Sequence, residues 1–432
     1  MSAPLSLRSV MRGARRAAAV VVGLCALLGA VRLIAPATDV AGEPPGVRRQ
    51  LAFLRAELDA GAGDEAQALF PEGYFFLHAL YGLAWVELGH RLPAERETAL
   101  REARWALARL DGPAGRAPFD PSLDPPFGVF YRGWSNWLLG GVLSLQPEER
   151  RDETERRRFT EESAELARAF DAAGTPFLES YPGQAWPVDS AVAIASLRLH
   201  DTLLTGTEGH GNTVARWLDE VRKRLDPRTG LIPHAVDAET GEPQGVARGS
   251  SQSLILRFLV DIDPAFAAAQ YARFRELYLA TPLGLGPAVR EYPHGMDGPA
   301  DVDSGPLPLG VSLSATAVAL GTAQVHGDAT LAGALANYGE LAGLPIGTPS
   351  TKRYAFGLLP IGDAFLAWSK TARPWISPPP AAPHPVVGPG WRMPLLALLA
   401  LIGLAPWLPA IGRAARRRAA RRRAVRSSSA PA

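Results

Sequence analysis

Six apolar segments, rich in small residues, alternate along this chain with six charged amphipathic ones, and that alternation restricts the fold more than anything else in the sequence. The apolar segments are Glu72–Leu88, Gly128–Leu145, Pro187–Leu204, Arg248–Val260, Ser304–Ala323 and Arg353–Ser369. The amphipathic ones begin at Val47, Ala94, Arg151, Thr213, Pro264 and Asp328. Their apolar positions recur at three and four residues, as in Trp217, Leu218 and Val221, the signature of a helix with one buried face. A helix that is apolar nearly all round must be surrounded. The order is therefore outer helix, loop, inner helix, six times over. The inner segments start roughly 40 to 60 residues apart, the period of a helix-pair repeat. An open solenoid would leave one side of the inner layer wet; a closed ring buries it. The expected class is all-α, a six-hairpin (α/α)6 toroid over residues 45–373. One short β-hairpin is expected, in the turn–strand–turn stretch that begins at Asp226.

The two ends differ from the middle. Residues 1–36 and 391–432 carry fourteen arginines and no acidic residue, so all 43 acidic residues lie between them. An acidic middle argues against nucleic acid as partner. In residues 1–37, four arginines precede an apolar run from Ala17 to Val31, the pattern of a signal peptide or signal anchor, with Ala35-Pro36-Ala37 as a cleavage site. Residues 393–412 are apolar over the length of a bilayer core, with Trp391 and Trp407 placed for the interfaces. Residues 413–432 follow with eight arginines, which the positive-inside bias assigns to the cytoplasm. Both termini then lie inside and the domain outside, at a bacterial plasma membrane, with membrane lipid touching both ends. Residues 374–392 are proline-rich and read as a stiff spacer. The single cysteine, Cys25, excludes a disulfide framework within the chain.

Candidate site residues cluster at the loop-to-helix junctions. Asp189 and Asp303, each followed by Ser, fit helix N-caps, and a carboxylate there is expected to be held ionised by backbone N–H groups. Asp301 and Asp303 together need a cationic partner, and Arg248 is placed to supply one. His234 is the candidate acid, with Tyr131, Tyr181 and a raised carboxyl as alternatives. Glu72, Tyr74 and His78, then Tyr131, Tyr181 and Trp186, then Glu291 and His294, are the candidate substrate-binding residues. No HExxH, close His pair, Gly-rich phosphate loop or G-x-S-x-G elbow occurs, so neither metal nor cofactor is expected. Oligomeric state is left open.

DPRTGLIPHAVDAETGEP followed by ARGSS is similar to the turn–strand–turn before an inner helix in unsaturated glucuronyl hydrolases. FPEGYFFLHALYGLAW, GVFYRGWSNWLLG and DVDSGPLPLGVSLSAT together resemble the bacterial linalool dehydratase/isomerase-domain group. The resemblance implies an α/α toroid and acid/base chemistry, of hydrolase, lyase or dehydratase/isomerase type, on a carbohydrate-like or alcohol substrate. A small molecule or glycan is then the expected ligand. The alternative is a non-catalytic glycan- or lipid-binding scaffold on the same fold.

Overall fold

The computed structural model describes residues 7–39 and 42–428. The first six residues of the basic leader and the last four of the basic tail lie outside the described residues. The chain divides into two units, residues 1–35 with 389–432, and residues 36–388.

In the terminal unit, α1 (Leu7–Ile34) packs against an apolar C-terminal helix, Met393–Leu404. Small residues let them approach: a Cβ on Gly403 would stand 3.1 Å from the Ala26 Cβ. Two stretches, Gly13–Ile34 and Pro389–Ala420, are long and apolar enough to cross a membrane by length and composition. Within the second stretch a 3-10 turn at Ala405–Trp407 separates Met393–Leu404 from a second helix, Leu408–Ser428. Pro406 and Pro409 lack the N–H that would continue the α-helical ladder.

The large unit is mostly helical. Its helices are α2 (Val47–Asp59), α3 (Ala62–Leu69), α4 (Gly73–Arg91), α5 (Arg96–Leu110), α6 (Pro113–Arg116), α7 (Gly128–Ser144), α8 (Glu153–Ala172) and α9 (Pro187–Leu203). They continue with α10 (Gly211–Lys223), α11 (Gly249–Ile262), α12 (Pro264–Tyr278), α13 (Leu313–Val325), α14 (Ala329–Ala342) and α15 (Pro360–Thr371). The helices of the terminal unit that follow are α16 (Met393–Leu404) and α17 (Leu408–Ser428).

Helices α4, α7, α9, α11, α13 and α15 touch one another in that cyclic order, with α15 returning to α4. Outer helices α5, α8, α10, α12 and α14 each pack on the inner helix that precedes them, and α2 packs on α15. The first outer helix thus covers the last inner one. Several outer helices start at side-chain caps: Asp152 accepts from the N–H of Thr154 and Glu155, Asp263 from Ala265 and Phe266, Asp328 from Leu331. Each satisfies N–H groups that a helix start leaves unpaired.

Two inner segments start later than expected. α13 begins at Leu313, not Ser304, and α15 at Pro360, not Arg353. Pro306, Pro308 and Pro360 push the residues before them out of helical conformation. Asp303 is therefore a loop residue, and the cap of α13 is Ser312, which accepts from the N–H of Ala315. Asp189 is no cap either; it lies in the first turn of α9, whose N-cap position is Trp186. The single hairpin is also corrected. Among the described residues there are three two-stranded antiparallel hairpins: β1–β2 (Ala235–Val236, Pro243–Gln244), β3–β4 (Leu279–Ala280, Ala288–Val289) and β5–β6 (Ile346–Gly347, Lys352–Arg353). Two-residue strands are too short to show alternation in a sequence.

Glycine sets how closely the junctions pack. The first residue of α11, Gly249, donates its N–H to the Glu291 carbonyl at 2.8 Å, and a Cβ there would lie 2.0 Å from the Arg290 carbonyl oxygen. Gly249→Ala is expected to destabilise the fold by about 1–3 kcal/mol, read as a lower denaturant midpoint.

The proline-rich segment after α15 does not stand away from the domain, as a free spacer would. Trp375 stacks on Trp137 with ring centroids 4.3 Å apart. Asp261 accepts the backbone N–H groups of Trp375, Ile376 and Ser377 at 2.9–3.2 Å. Further along, Arg275 donates to the His384 carbonyl at 2.9 Å. Proline leaves few backbone donors in this segment, and Asp261 takes the first three.

Candidate active site

All six inner helices contribute side chains to one cavity of about 410 Å³, at the end of the ring where those helices begin. Its wall is largely apolar: Phe76 from α4, Phe130 and Trp134 from α7, Val188 from α9, Leu254 from α11, Val318 from α13, Ile361 and Phe365 from α15. The polar exceptions are few: Glu72, Tyr181, Asp189, His234, Asp303 and serines 250, 251, 304 and 314. An apolar cleft with a few convergent polar groups is the usual form of a small-molecule site. Its floor is aromatic. Trp134 meets Phe258 edge-on at 5.3 Å and lies 5.9 Å from Trp368.

Three carboxyl groups reach this cavity from three separate parts of the chain. Glu72 stands just before α4 and accepts a hydrogen bond from the Tyr181 hydroxyl. Asp189, only 3% exposed, accepts from the Ser180 hydroxyl at 2.6 Å and from the Trp134 indole N–H at 3.4 Å. Burial dominates its electrostatics and pushes its pKa up to about 7, with Asp303 and Glu72 adding to the rise. The expectation that the helix start would hold this carboxylate ionised is thereby reversed: two hydrogen bonds do not replace the lost water. Asp303 keeps an exposed edge, yet the protein around it strips enough water to raise its pKa too, and the neighbouring Glu72 adds repulsion. His234 lies just before β1, its Nδ1 against the Ser251 hydroxyl. Burial, helped by the Arg248 charge, lowers its pKa to about 4, so it is a neutral imidazole near pH 7.

Arg248, Asp301 and Glu291 stand beside the cavity and hold the loop that carries Asp303. Arg248 pairs with Asp301, donates to the Tyr292 hydroxyl at 2.9 Å and lies 3.9 Å from Glu291. Glu291 is buried and accepts from the Ser250 hydroxyl at 2.7 Å; burial raises its pKa. Asp301 also caps its own turn by accepting the Ser304 N–H at 2.9 Å. Trp186 lines the wall next to Tyr181.

Four of the singled-out residues lie elsewhere. The rings of Tyr74 and His78 pack together, tilted by 33°, and His78 packs against Trp105 of α5, in the outer layer. Tyr131 accepts from Arg116 at 3.1 Å in the corner between α5 and α6. His294 is exposed and bonds the Leu279 carbonyl in a different cleft. Helical spacing explains the first two: positions 74 and 78 share one face of α4, and Phe76 is on another. Ser180 and Ser251 were not legible as site residues, since nothing local marks them.

Donor atoms of His200, Asp201 and His210 lie within 4.8 Å of one another, the one such His–carboxylate group among the described residues. It is at the far end of α9 from Asp189. The His200 ring contacts Asp201 at 3.2 Å, and Asp201 accepts the His210 backbone N–H at 2.9 Å. Imidazole and carboxylate donors suit zinc in type, but the group has no connection to the cavity.

No family model matches the chain. Among solved structures, a GH76 alpha-mannanase from Bacteroides thetaiotaomicron superposes with a TM-score of 0.42 at 12% identity, covering 68% of this chain and 84% of that one. A likeness at that level bears on neither the residues nor the chemistry of the cavity.

Proposed function

We propose that the ring of helix pairs is an (α/α)6 toroid held outside the cytoplasm by its apolar ends, and that its cavity cleaves a C–O bond by acid/base catalysis. The substrate is amphiphilic: an alcohol or glycoside head carried on an apolar body. The observation that supports this most is the convergence of Glu72, Asp189 and Asp303 on one largely apolar cavity, with two of the three pushed toward neutrality.

The roles follow from the environments. Asp189, with a pKa of about 7, is protonated in about half of the molecules at neutral pH and in that form serves as the acid, protonating the leaving oxygen as the C–O bond breaks. The base comes from the facing pair Glu72 and Asp303, which takes a proton from water in a hydrolysis or from the adjacent carbon in an elimination. His234, neutral and anchored to Ser251, orients the head group by hydrogen bonding. The apolar wall takes the body of the substrate and excludes water. Arg248 and Asp301 are positioning residues.

Full-length protein in detergent, incubated in 18O-water with alkyl glycosides and long-chain allylic alcohols, separates the outcomes. Hydrolysis places 18O in the product; dehydration gives an alkene without label. Turnover is expected with at least one of these classes, and only where the substrate carries an apolar chain. Equal turnover by wild type and by Glu72→Gln, Asp189→Asn and Asp303→Asn would remove the reading.

A further inference from the structure

Three turns at the mouth of the ring share an unusual construction. In each, a large apolar residue sits in the left-handed backbone region and is followed by a left-handed glycine: Leu283 with Gly284, Leu309 with Gly310, Phe356 with Gly357. The φ angles of the apolar residues are 52°, 56° and 62°. Glycine takes that conformation because it has no Cβ, and asparagine tolerates it through local hydrogen bonding; leucine and phenylalanine have neither advantage. The strained side chains are not placed there to be buried. Leu283 is 80% exposed, Leu309 63% and Phe356 58%.

Two costs thus fall on the same residues, and neither stabilises the isolated domain. Scattered surface leucines are ordinary; a contiguous exposed patch is not. Here the exposed apolar residues continue along the chain to the cavity: Leu313 follows Leu309 by four residues and Leu359 follows Phe356 by three, and both, with Val302, line the cavity and are themselves exposed. The place where the chain leaves the domain indicates what covers it. Val386 and Val387, the end of the proline-rich strap, share a cleft with Leu283 and Leu309. A few residues later the sequence enters the apolar helix that starts at Met393.

We propose that this rim seats in the surface of a phospholipid bilayer, so that the cavity opens onto the lipid phase. The contact is apolar: the acids on the neighbouring loop are paired within the domain, Asp297 with Arg290 and Asp301 with Arg248. A zwitterionic surface is therefore sufficient. This contact does not depend on the acid/base reading and is tested without turnover.

The full chain with Cys25→Ser accepts a single environment-sensitive fluorophore through Leu283→Cys, Leu309→Cys or Phe356→Cys. Glu149→Cys, in the exposed turn between α7 and α8 at the opposite end of the ring, is the control. The proteins are reconstituted in phosphatidylcholine vesicles containing a lipid quencher at the head-group boundary. A side chain inserted about 5–10 Å into that boundary is expected to be quenched at least about twofold more than the control. Equal quenching at the rim and at residue 149 overturns the proposal. A second variant guards against local misfolding. Leu283→Asn with Leu309→Asn suits the left-handed turns, and in the Phe356→Cys background it is expected to keep the melting temperature and abolish the excess quenching. Retained quenching with both leucines replaced also overturns the proposal.

Discussion

Asp189→Asn is expected to lower turnover by about 100- to 10,000-fold while making the folded protein more stable, not less, above pH 7. The two effects share one cause. Asp189 is buried, and its pKa is raised to about 7, well above the ordinary carboxylate value. Between roughly pH 4 and 7 the folded protein holds a proton there that the unfolded chain has released. Stability therefore falls as pH rises through that window, and above it the charged carboxylate costs on the order of a few kcal/mol. Asparagine keeps the shape, can still bond Ser180, and carries no charge to desolvate. Denaturation at pH 5 and pH 8 checks this: wild type is expected to lose stability between the two from this group, and the variant to lose less. Wild-type kcat/KM is expected to fall as pH rises through about 7, when the acid loses its proton. If Asp189→Asn unfolds the protein and leaves activity per folded molecule unchanged, Asp189 is structural.

The second large effect lies below the cavity. Glu87 of α4 and Arg257 of α11, helices three places apart in the ring, form a 2.6 Å ion pair with side chains only 2% and 3% exposed. Thr371 donates to the other Glu87 oxygen at 2.7 Å, and the Arg257 guanidinium lies 3.3 Å from the Trp368 ring centroid. Burial alone would lower the Arg257 pKa; Glu87 offsets part of that. Glu87→Gln removes the counter-charge and leaves a cation in the bore. The expected loss is about 3–5 kcal/mol, read from the denaturant midpoint. Replacing both residues by methionine is expected to recover most of it, because desolvation of the pair opposes its attraction. A double replacement as unstable as the single one would show that the pair itself, not the stranded charge, holds the bore together.

How much of this was legible depended on range. The outer helices could be placed because their period is local; the structure adds that Asp152, Asp263 and Asp328 each sit at a helix start and fill N–H groups a few residues on. The inner segment from Ser304 misled because it reads as one apolar run; its start, Ser-Gly-Pro-Leu-Pro-Leu-Gly, holds two prolines and two glycines, which oppose a helix. The junction residues could be singled out by type, but not sorted. Asp189 and Asp303 both precede a serine; only the three-dimensional packing of Ser180 and Trp134 around one of them makes it a buried acid. His78 is buried and His234 half-buried, and both are lowered to about 4. What separates them is which way a helix face or a strand end happens to point, and a single sequence carries no term for that.

The packed strap has a mechanical consequence. Because Asp261, Trp137 and Arg275 hold residues 375–384 against the wall of the domain, the slack in the tether is confined to the short stretch after the last of these anchors. A long loose leash would let the domain roam a hemisphere above its anchor point. On the membrane anchoring proposed above, a leash this short confines it to a thin layer, where every encounter is with molecules diffusing in two dimensions.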